Sequence, residues 1–246
     1  SLNLANSNLF LNTAGRHGGG APVVNGDLTA VASTISQNTA AQNGGGLNVN
    51  NGVSLINVVM QENVAGTNGG GVLQWNGDDT IKVNIQNSFF TQNQAGETGG
   101  ALSVYQGAST QISTTKFTGN LVNSVSVNTN GGAVYFNDAS RGHDISIDHS
   151  TFQDNQADCT SCSFMLGGGV YASTSGTGRL ILQDDTFTGN DAWLGGGVYA
   201  EASRIERTTF QGNTAGRRGG AYLGGAARNT PSKFYQNSTG NAGGAL

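Results

Sequence analysis

The sequence has little charge and almost no proline, and each of these shortages excludes a class of protein. Only 11% of its 246 residues are charged and only 2 are proline, whereas ordinary globular chains contain about 25% charged residues. Two prolines are too few for a collagen-like chain or a polyproline linker. The formal net charge is −4 and 36% of the residues are hydrophobic, a combination that argues against intrinsic disorder.

The weak and nearly balanced charge also limits the partners. The chain carries 11 basic and 15 acidic residues, which leaves no electrostatic footprint for nucleic acid or for an anionic membrane. No apolar run approaches the roughly 18 residues of a membrane helix. The opening SLNLANS does not have the pattern of a signal peptide. The sequence therefore predicts no nucleic-acid binding and no membrane span in this segment.

Glycine, in contrast, is abundant, and its spacing reveals a repeat. The chain has 40 glycines, and Gly, Asn, Ser and Thr recur every few positions, which excludes long helices because each is a poor residue for a helix interior. Nine copies of one pattern fill the chain: an apolar residue three positions before an asparagine, then two glycines, a small residue and an apolar residue. The asparagines are Asn12, Asn38, Asn63, Asn93, Asn120, Asn155, Asn190, Asn213 and Asn237. The closing apolar residues are Ala21, Leu47, Val72, Leu102, Val134, Val170, Val198, Tyr222 and Leu246.

Within each copy the apolar residues alternate with polar ones, which is the period of a β-strand. One alternating stretch follows the glycine pair, a second precedes the Phe, and the Phe segment forms a third short strand. Three short strands in about 25 residues suit one coil of a solenoid, whereas a propeller blade needs about 40 residues and four strands. The sequence predicts a single all-β domain over 1–246, a right-handed parallel β-helix of about nine coils with three short strands each. Because the chain begins within a coil and stops after Gly-Gly-Ala-Leu, we expect a segment of a longer array or an uncapped protomer.

Equivalent positions of successive coils should stack about 4.8 Å apart. The asparagines would then form a ladder of side-chain amides, and the alanine two residues later would lie in a narrow turn. Two positions before the Phe column, a second ladder of hydroxyl groups is interrupted only at Val58 and Asp185. Its members are Ser7, Ser33, Ser88, Thr115, Ser150, Thr208 and Ser232. We assign these columns to the fold and not to catalysis.

The alternation of Phe-x-x-Asn with Gly-Gly-Ala-apolar resembles the passenger repeats of chlamydial polymorphic outer-membrane proteins. The clearest matches are FTQN with GGAL, FTGN with GGAV and FQGN with GGAY. The resemblance covers essentially the whole chain, although Leu, Ile and Met replace Phe in the first three copies and GGG often replaces GGA. It implies a secreted surface β-helix that works in adhesion to cells.

Outward aromatic residues form the first candidate site. The residue after each inward apolar residue should point outward, which places Tyr135, Tyr171 and Tyr199 on three consecutive coils. Two residues further along the same strand, Trp75 and Tyr105 face outward as well. A row of aromatic rings offers a large contact area for sugar rings or for a protein partner. The alternative, which the sequence alone favours, is that the tyrosine pairs only strengthen the sheet.

Two insertions at the same corner of adjacent copies form the second candidate. The segments LVNSVSVNTN and QADCTSCSFML should project side by side from one edge, where solenoids commonly place recognition. The second contains Cys159 and Cys162. Two cysteines without a nearby histidine do not complete a zinc site. A short disulfide in an oxidising compartment is favoured, with free thiols as the alternative.

Charged residues at one place in three consecutive copies form the third candidate. They are His149, Asp184 and Arg207, flanked by Asp148, Asp185 and Glu206. By fold-level analogy with pectin-cleaving β-helix hydrolases, such carboxylates can supply a general acid and a base that activates water. Solvation of an outward face is the alternative and is favoured. The acidic pairs Asp78-Asp79 and Asp184-Asp185 lack the pattern of a calcium loop, so calcium binding stays open, and the sequence assigns no metal site and predicts no cofactor.

Together these observations predict an extracellular, cell-surface protein that is not an enzyme. Its expected role is adhesion, or service as a structural component of a surface appendage. The expected partners are a host or neighbouring cell surface, through a glycan or a protein, and further copies in a homo-oligomer or filament joined through open coil ends. The alternative is a secreted β-helix that binds or cleaves a polysaccharide.

Overall fold

The fold of the chain comes from a computed structural model that describes residues 1–23, 25–76, 80–106, 108–125, 127–138, 142–174 and 178–245. Within these ranges the regular structure is entirely β-strand, and the strands form three sheets. Strands pair in parallel with the equivalent strand of the neighbouring copy, as Phe90 does with Phe117 and Phe117 with Phe152. The predicted parallel β-helix is therefore confirmed, while its hand and its number of coils stay predictions.

The first sheet contains two arms that follow one another along each coil. Arm A follows the glycine pair and consists of Ala21–Val23, Leu47–Val49, Val72–Gln74, Leu102–Tyr105, Val134–Asp138 and Val170–Thr174. Arm B precedes the Phe column and consists of Leu2–Ala5, Leu28–Val31, Val53–Ile56, Lys82–Gln86, Ser109–Ser113, Ile145–Asp148 and Leu180–Gln183. The nine-residue strand Val198–Glu206 pairs with both arms, and Tyr222–Thr230 pairs with it. The two arms thus fuse in the copies where no loop separates them.

The second and third sheets lie at the Phe column and at the alanine column. The second sheet consists of Asn8–Phe10, Thr34–Ser36, Val59–Gln61, Phe89–Thr91, Lys116–Thr118, Thr151–Gln153, Thr186–Thr188, Thr209–Gln211 and Lys233–Tyr235. The third consists of Thr13–Ala14, Thr39–Ala40, Val64–Ala65, Gln94–Ala95, Leu121–Ser124, Thr129–Asn130, Gln156–Cys159, Met165–Leu166, Asp191–Leu194, Thr214–Arg218 and Ser238–Thr239. The alanine segment, expected as a narrow turn, is therefore a short strand, and the two alternating stretches share one sheet.

Columns of stacked apolar side chains fill the interior. Six phenylalanines stack with ring centroids 4.6–4.9 Å apart: Phe90, Phe117, Phe152, Phe187, Phe210 and Phe234. Beside them each asparagine of the ladder except Asn237 donates its amide nitrogen to the amide oxygen of the next, as in Asn120 to Asn155 at 2.9 Å. The amide oxygen also accepts the backbone N–H of the preceding asparagine, at 3.0 Å for the same pair. The predicted amide ladder is confirmed.

Left-handed residues at three corners turn the chain. Positive φ occurs at the residue before each asparagine of the ladder, for example Gln92 at 54°. It occurs again between arm B and the Phe strand, as at Asn87 with 46°, and at one glycine before arm A, as at Gly99 with 54°. These corners recur from copy to copy, although Pro231 in the last copy has no positive φ, and the side chains between them therefore keep one register.

The hydroxyl ladder is confirmed as well, and Asp185 occupies one of its positions. Ser88 illustrates the pattern, since its hydroxyl donates to Gln86 O at 2.8 Å and accepts the backbone N–H of Val58 at 3.1 Å. Asp185 is almost fully buried and instead accepts two backbone N–H groups, from Ser150 and Gln183. Burial raises the pKa of the Asp185 carboxyl well above its ordinary value, more than these hydrogen bonds lower it.

Candidate functional site

The outward face of arm A carries the aromatic residues that the sequence singles out. Val134 is fully buried and Phe136 nearly so, and Tyr135 between them points to the opposite face because side chains alternate along a strand. Tyr135 lies in register with Tyr171, and Tyr171 with Tyr199. The structure therefore brings these three tyrosines into one column, as predicted.

The two predicted groups of aromatic residues form one continuous ladder. The ring centroids are 5.0 Å apart for Trp75 and Tyr105, and 5.1 Å for Tyr105 and Tyr135. They are 5.2 Å apart for Tyr135 and Tyr171, and 5.5 Å for Tyr171 and Tyr199. Tyr105 is two strand positions away from the tyrosine column, but its ring reaches the ring of Tyr135. We call these five residues the aromatic ladder.

Most of the ring surface in the aromatic ladder is used up by the rings themselves. Tyr135 is only 8% exposed, while Trp75 at the end of the ladder is 45% exposed. Burial raises the pKa of the Tyr135 hydroxyl to about 12 and that of Tyr171 to about 12. At neutral pH both hydroxyls are therefore protonated. Tyr105, Tyr171 and Tyr199 are half-buried, so the most exposed ring of the ladder is Trp75 at one end.

Hydrogen bonds tie the aromatic ladder to the corner that precedes the glycines. The Tyr105 hydroxyl donates to Asn68 Oδ1 at 3.2 Å, and Thr98 Oγ1 donates to the same oxygen at 2.8 Å. The amide nitrogen of Asn68 donates to Asn43 Oδ1 at 3.1 Å. This chain of side chains follows the coil axis and holds the Tyr105 ring between its neighbours.

An open depression lies at each end of the aromatic ladder. The first, of about 350 Å³, is lined by His17, Asn43, Asn48, Asn50, Leu73 and Trp75, and we call it the asparagine depression. The second, of about 510 Å³, is lined by residues that include Phe164, Tyr199, Glu201, Arg217, Arg218 and Leu223, and we call it the arginine depression. Neither depression is predicted by the sequence. The sequence does give one signal for the asparagine depression. Asn48 and Asn50 hold the outward positions in the copy that precedes the copy of Trp75.

The two insertions lie side by side, as predicted, and the second borders the arginine depression. Leu121–Ser124 pairs with Gln156–Cys159, and Thr129–Asn130 pairs with Met165–Leu166. A disulfide joins Cys159 to Cys162, whose Cα atoms are 5.6 Å apart. Phe164 follows the disulfide and is 44% exposed. The insertion thus places an aromatic ring beside the last member of the aromatic ladder.

The charged residues form an ion-pair network at the corner after arm B. Arg207 donates to both oxygens of Asp184 at 2.7 Å, and its guanidinium lowers the pKa of the Asp184 carboxyl. His149 Nδ1 lies 2.8 Å from Asp148 Oδ1, and this hydrogen bond raises the pKa of the His149 imidazole. Asp185 does not join the cluster because it lies inside the hydroxyl ladder.

Within the described part of the chain, three residues of this network have side-chain atoms close enough together to hold a metal ion. Ligand atoms of Asp148, His149 and Asp184 lie within 4.8 Å of one another. However, Arg207 occupies both oxygens of Asp184, and its positive charge opposes a cation at the same place. The depressed pKa of Asp184 also makes this carboxyl a poor proton donor. Asp78 and Asp79, the acidic pair compared above with a calcium loop, lie outside the described residues.

The fold and these surfaces define a parallel β-helix with an aromatic outer face. The chain matches no protein-family model, no curated protein sequence and no solved structure. Among the described residues there is no helix that is long and apolar enough to span a membrane.

Proposed function

We propose that this chain is an extracellular, non-enzymatic adhesion protein that binds a glycan or a protein on a host or neighbouring cell. The observation that supports this proposal is the aromatic ladder, which runs over five neighbouring copies. A depression lies at each of its two ends. Aromatic rings next to polar groups are typical of recognition surfaces because they combine a large apolar area with few rotatable bonds.

Two further features support the proposal: one bears on the location outside the cell and the other on the non-enzymatic role. The Cys159–Cys162 disulfide is of a kind that persists in oxidising compartments. The carboxylate of Asp184 is held by Arg207 and so resembles a structural ion pair more than a general acid. The resemblance of the repeats to chlamydial surface passengers implies the same role.

Cell binding with matched surface variants tests the proposal. Beads coated with the purified chain should bind intact cells, and the double variant Trp75→Ser/Tyr199→Ser should bind at least about tenfold fewer, because aromatic anchors dominate most interfaces. The control is Phe89→Ser/Tyr235→Ser, which removes two exposed rings from the second sheet. If both double variants bind cells as well as the parent does, the outward face of arm A is not the binding surface.

Polysaccharide cleavage is the second candidate, and the closeness of Asp148, His149 and Asp184 favours it. A retaining or inverting hydrolase needs one protonated and one ionised carboxyl on either side of the scissile bond. A hydrolysis screen on acidic polysaccharides tests this candidate directly. Activity that disappears in Asp184→Ala would support the enzyme, and an inactive parent chain would leave binding as the function.

A further inference from the structure

We propose that the asparagine depression is a binding site for the ring of a neutral sugar, which stacks on Trp75 and is hydrogen-bonded by the surrounding side-chain amides. This inference rests on the proposed adhesion function and specifies its ligand. It places the sugar at the end of the aromatic ladder that lies toward the first copies of the repeat.

Trp75 lines the depression. Tyr105, from the following copy, packs against the indole with its ring centroid 5.0 Å away and its plane tilted by 38°. In the preceding copy the position beside Trp75 is held by Asn50, as the backbone bonds from Trp75 N to Val49 O and from Asn76 N to Asn50 O show. Because this neighbour is not aromatic, the ladder stops here and the indole is 45% exposed. A sugar ring can take the place that a further aromatic ring would occupy.

Asn48 provides the second, independent observation. Its side chain lines the depression and is only 8% exposed, yet its amide makes no hydrogen bond to any other described residue. The polar atoms of this amide still reach solvent, so they are free to donate to and accept from a polar ligand in the depression. The equivalent residue in the next copy is Leu73, which shows that the strand itself does not need an amide here.

The lining also fits the hydroxyl groups of a sugar. Asn43 is held in place by Asn68, which donates to its Oδ1 at 3.1 Å, and by His17, whose Nδ1 lies 3.3 Å from its Nδ2. Amides both donate and accept hydrogen bonds, as sugar hydroxyls do. The volume of about 350 Å³ lies at the lower end of the roughly 300–1,000 Å³ that small-molecule sites span.

The absence of formal charge selects a neutral sugar. The described residues that line this depression include no Asp, Glu, Lys or Arg. The arginine depression at the opposite end is lined by Glu201, Arg217 and Arg218. An acidic sugar would gain an ion pair there, but none in the asparagine depression. The two ends of the aromatic ladder thus differ in the charge of the ligand that they can hold.

The two tryptophans of the chain make this site measurable. The parent chain is applied to an array of neutral and acidic glycans, and neutral oligosaccharides of glucose, mannose, galactose and N-acetylglucosamine are then titrated in solution. In the Trp193→Phe background, Trp75 is the only tryptophan, so its fluorescence reports on the depression alone. We expect neutral sugars to change this fluorescence with saturation, and Trp193→Phe to bind them as the parent does.

Two variants separate binding from folding. Trp75→Ala should weaken sugar binding about tenfold or more. Asn48→Leu should weaken it by a similar factor while keeping the parent's unfolding midpoint, because the amide has no partner to lose and Leu73 shows that leucine fits the column.

The outcomes distinguish this inference from the function on which it rests. If neutral sugars bind but Trp75→Ala and Asn48→Leu bind them as the parent does, the sugar site lies elsewhere and this inference is wrong. Cell binding without any neutral-sugar binding would also overturn the inference and would leave a protein or an acidic glycan as the ligand. If the parent chain binds neither cells nor neutral sugars, the proposed adhesion function itself is wrong.

Discussion

Replacing Asn155 by alanine tests the amide ladder at a position where the side chain is fully buried. The amide nitrogen of Asn155 donates to Asn190 Oδ1 at 2.9 Å and to Phe117 O at 3.1 Å. Its amide oxygen accepts the backbone N–H of Asn120 at 3.0 Å and the side-chain nitrogen of Asn120 at 2.9 Å. The substitution therefore removes four hydrogen bonds and leaves two N–H donors of Asn120 buried without these partners.

The expected cost follows from these unpaired groups. A buried donor without a partner costs about 1–3 kcal/mol, so two such donors lower the free energy of unfolding by about 4 kcal/mol. Asn12→Ala is the matched control because Asn12 is exposed and its side chain makes one hydrogen bond, to Asn38 Oδ1 at 2.8 Å. We expect this variant to lose about 1 kcal/mol.

Urea unfolding followed by circular dichroism measures the two costs, and hydrogen exchange with mass spectrometry reads the local effect. Exchange should accelerate at the backbone N–H of Asn120, which loses its acceptor in Asn155→Ala. In a solenoid each coil contacts mainly its neighbours, so exchange in distant copies should change less. Equal destabilisation by Asn155→Ala and Asn12→Ala, or unchanged exchange at Asn120, would refute the ladder as a source of stability.

Three further predictions concern single positions. Burial raises the folded-state pKa of Asp185, so this carboxyl destabilises the fold increasingly as the pH rises above about 3.9, the value in an unfolded chain. Asp185→Ser should therefore raise the urea midpoint at pH 7 and lose this advantage as the pH falls toward 4. A Cβ on Gly132 would lie 2.2 Å from Gly168 O, while one on Gly15 would meet nothing within 4 Å. In the urea assay Gly132→Ala should therefore lower the free energy of unfolding by about 3 kcal/mol or more, and Gly15→Ala should lower it by less than about 0.5 kcal/mol. Replacing both cysteines by serine should cost about 2 kcal/mol or less, because the disulfide closes a short loop, and intact-mass measurement with and without reductant checks the bond in the parent.

The columns of the fold are predictable because each depends on one residue type recurring at one place. The asparagine after each corner and the Phe or other apolar residue three positions before that asparagine identify the copies, and parallel stacking then aligns them. The strand Gln94–Ala95, which lies between the left-handed residues Gln92 and Gly99, was not predictable, because a strand of two residues is too short to show an alternating period. The fusion of the two arms in Val198–Glu206 depends on a missing loop, which the repeat pattern does not encode.

The candidate site was predictable only in part. The alternation along arm A places Tyr135 on the outer face, but its low exposure depends on Tyr105 and Tyr171, which come from neighbouring copies. The asparagine depression joins residues from both sides of the corner, such as Asn43 and Asn48. Their closeness depends on how sharply the intervening glycines turn the chain, and neither periodicity nor residue type specifies that angle.

The aromatic ladder shows how one surface can serve both the fold and recognition. A stack of rings has two free outer faces whatever its length, because each inner ring is covered on both sides. Adding rings such as Tyr135 and Tyr171 therefore adds contacts between coils without adding ring surface for a ligand. Trp75 is the most exposed ring of the ladder, and Trp75 and Tyr199 are the two rings that border the depressions. Recognition by this face is consequently expected at two separate places, whose distance is set by the number of coils between them.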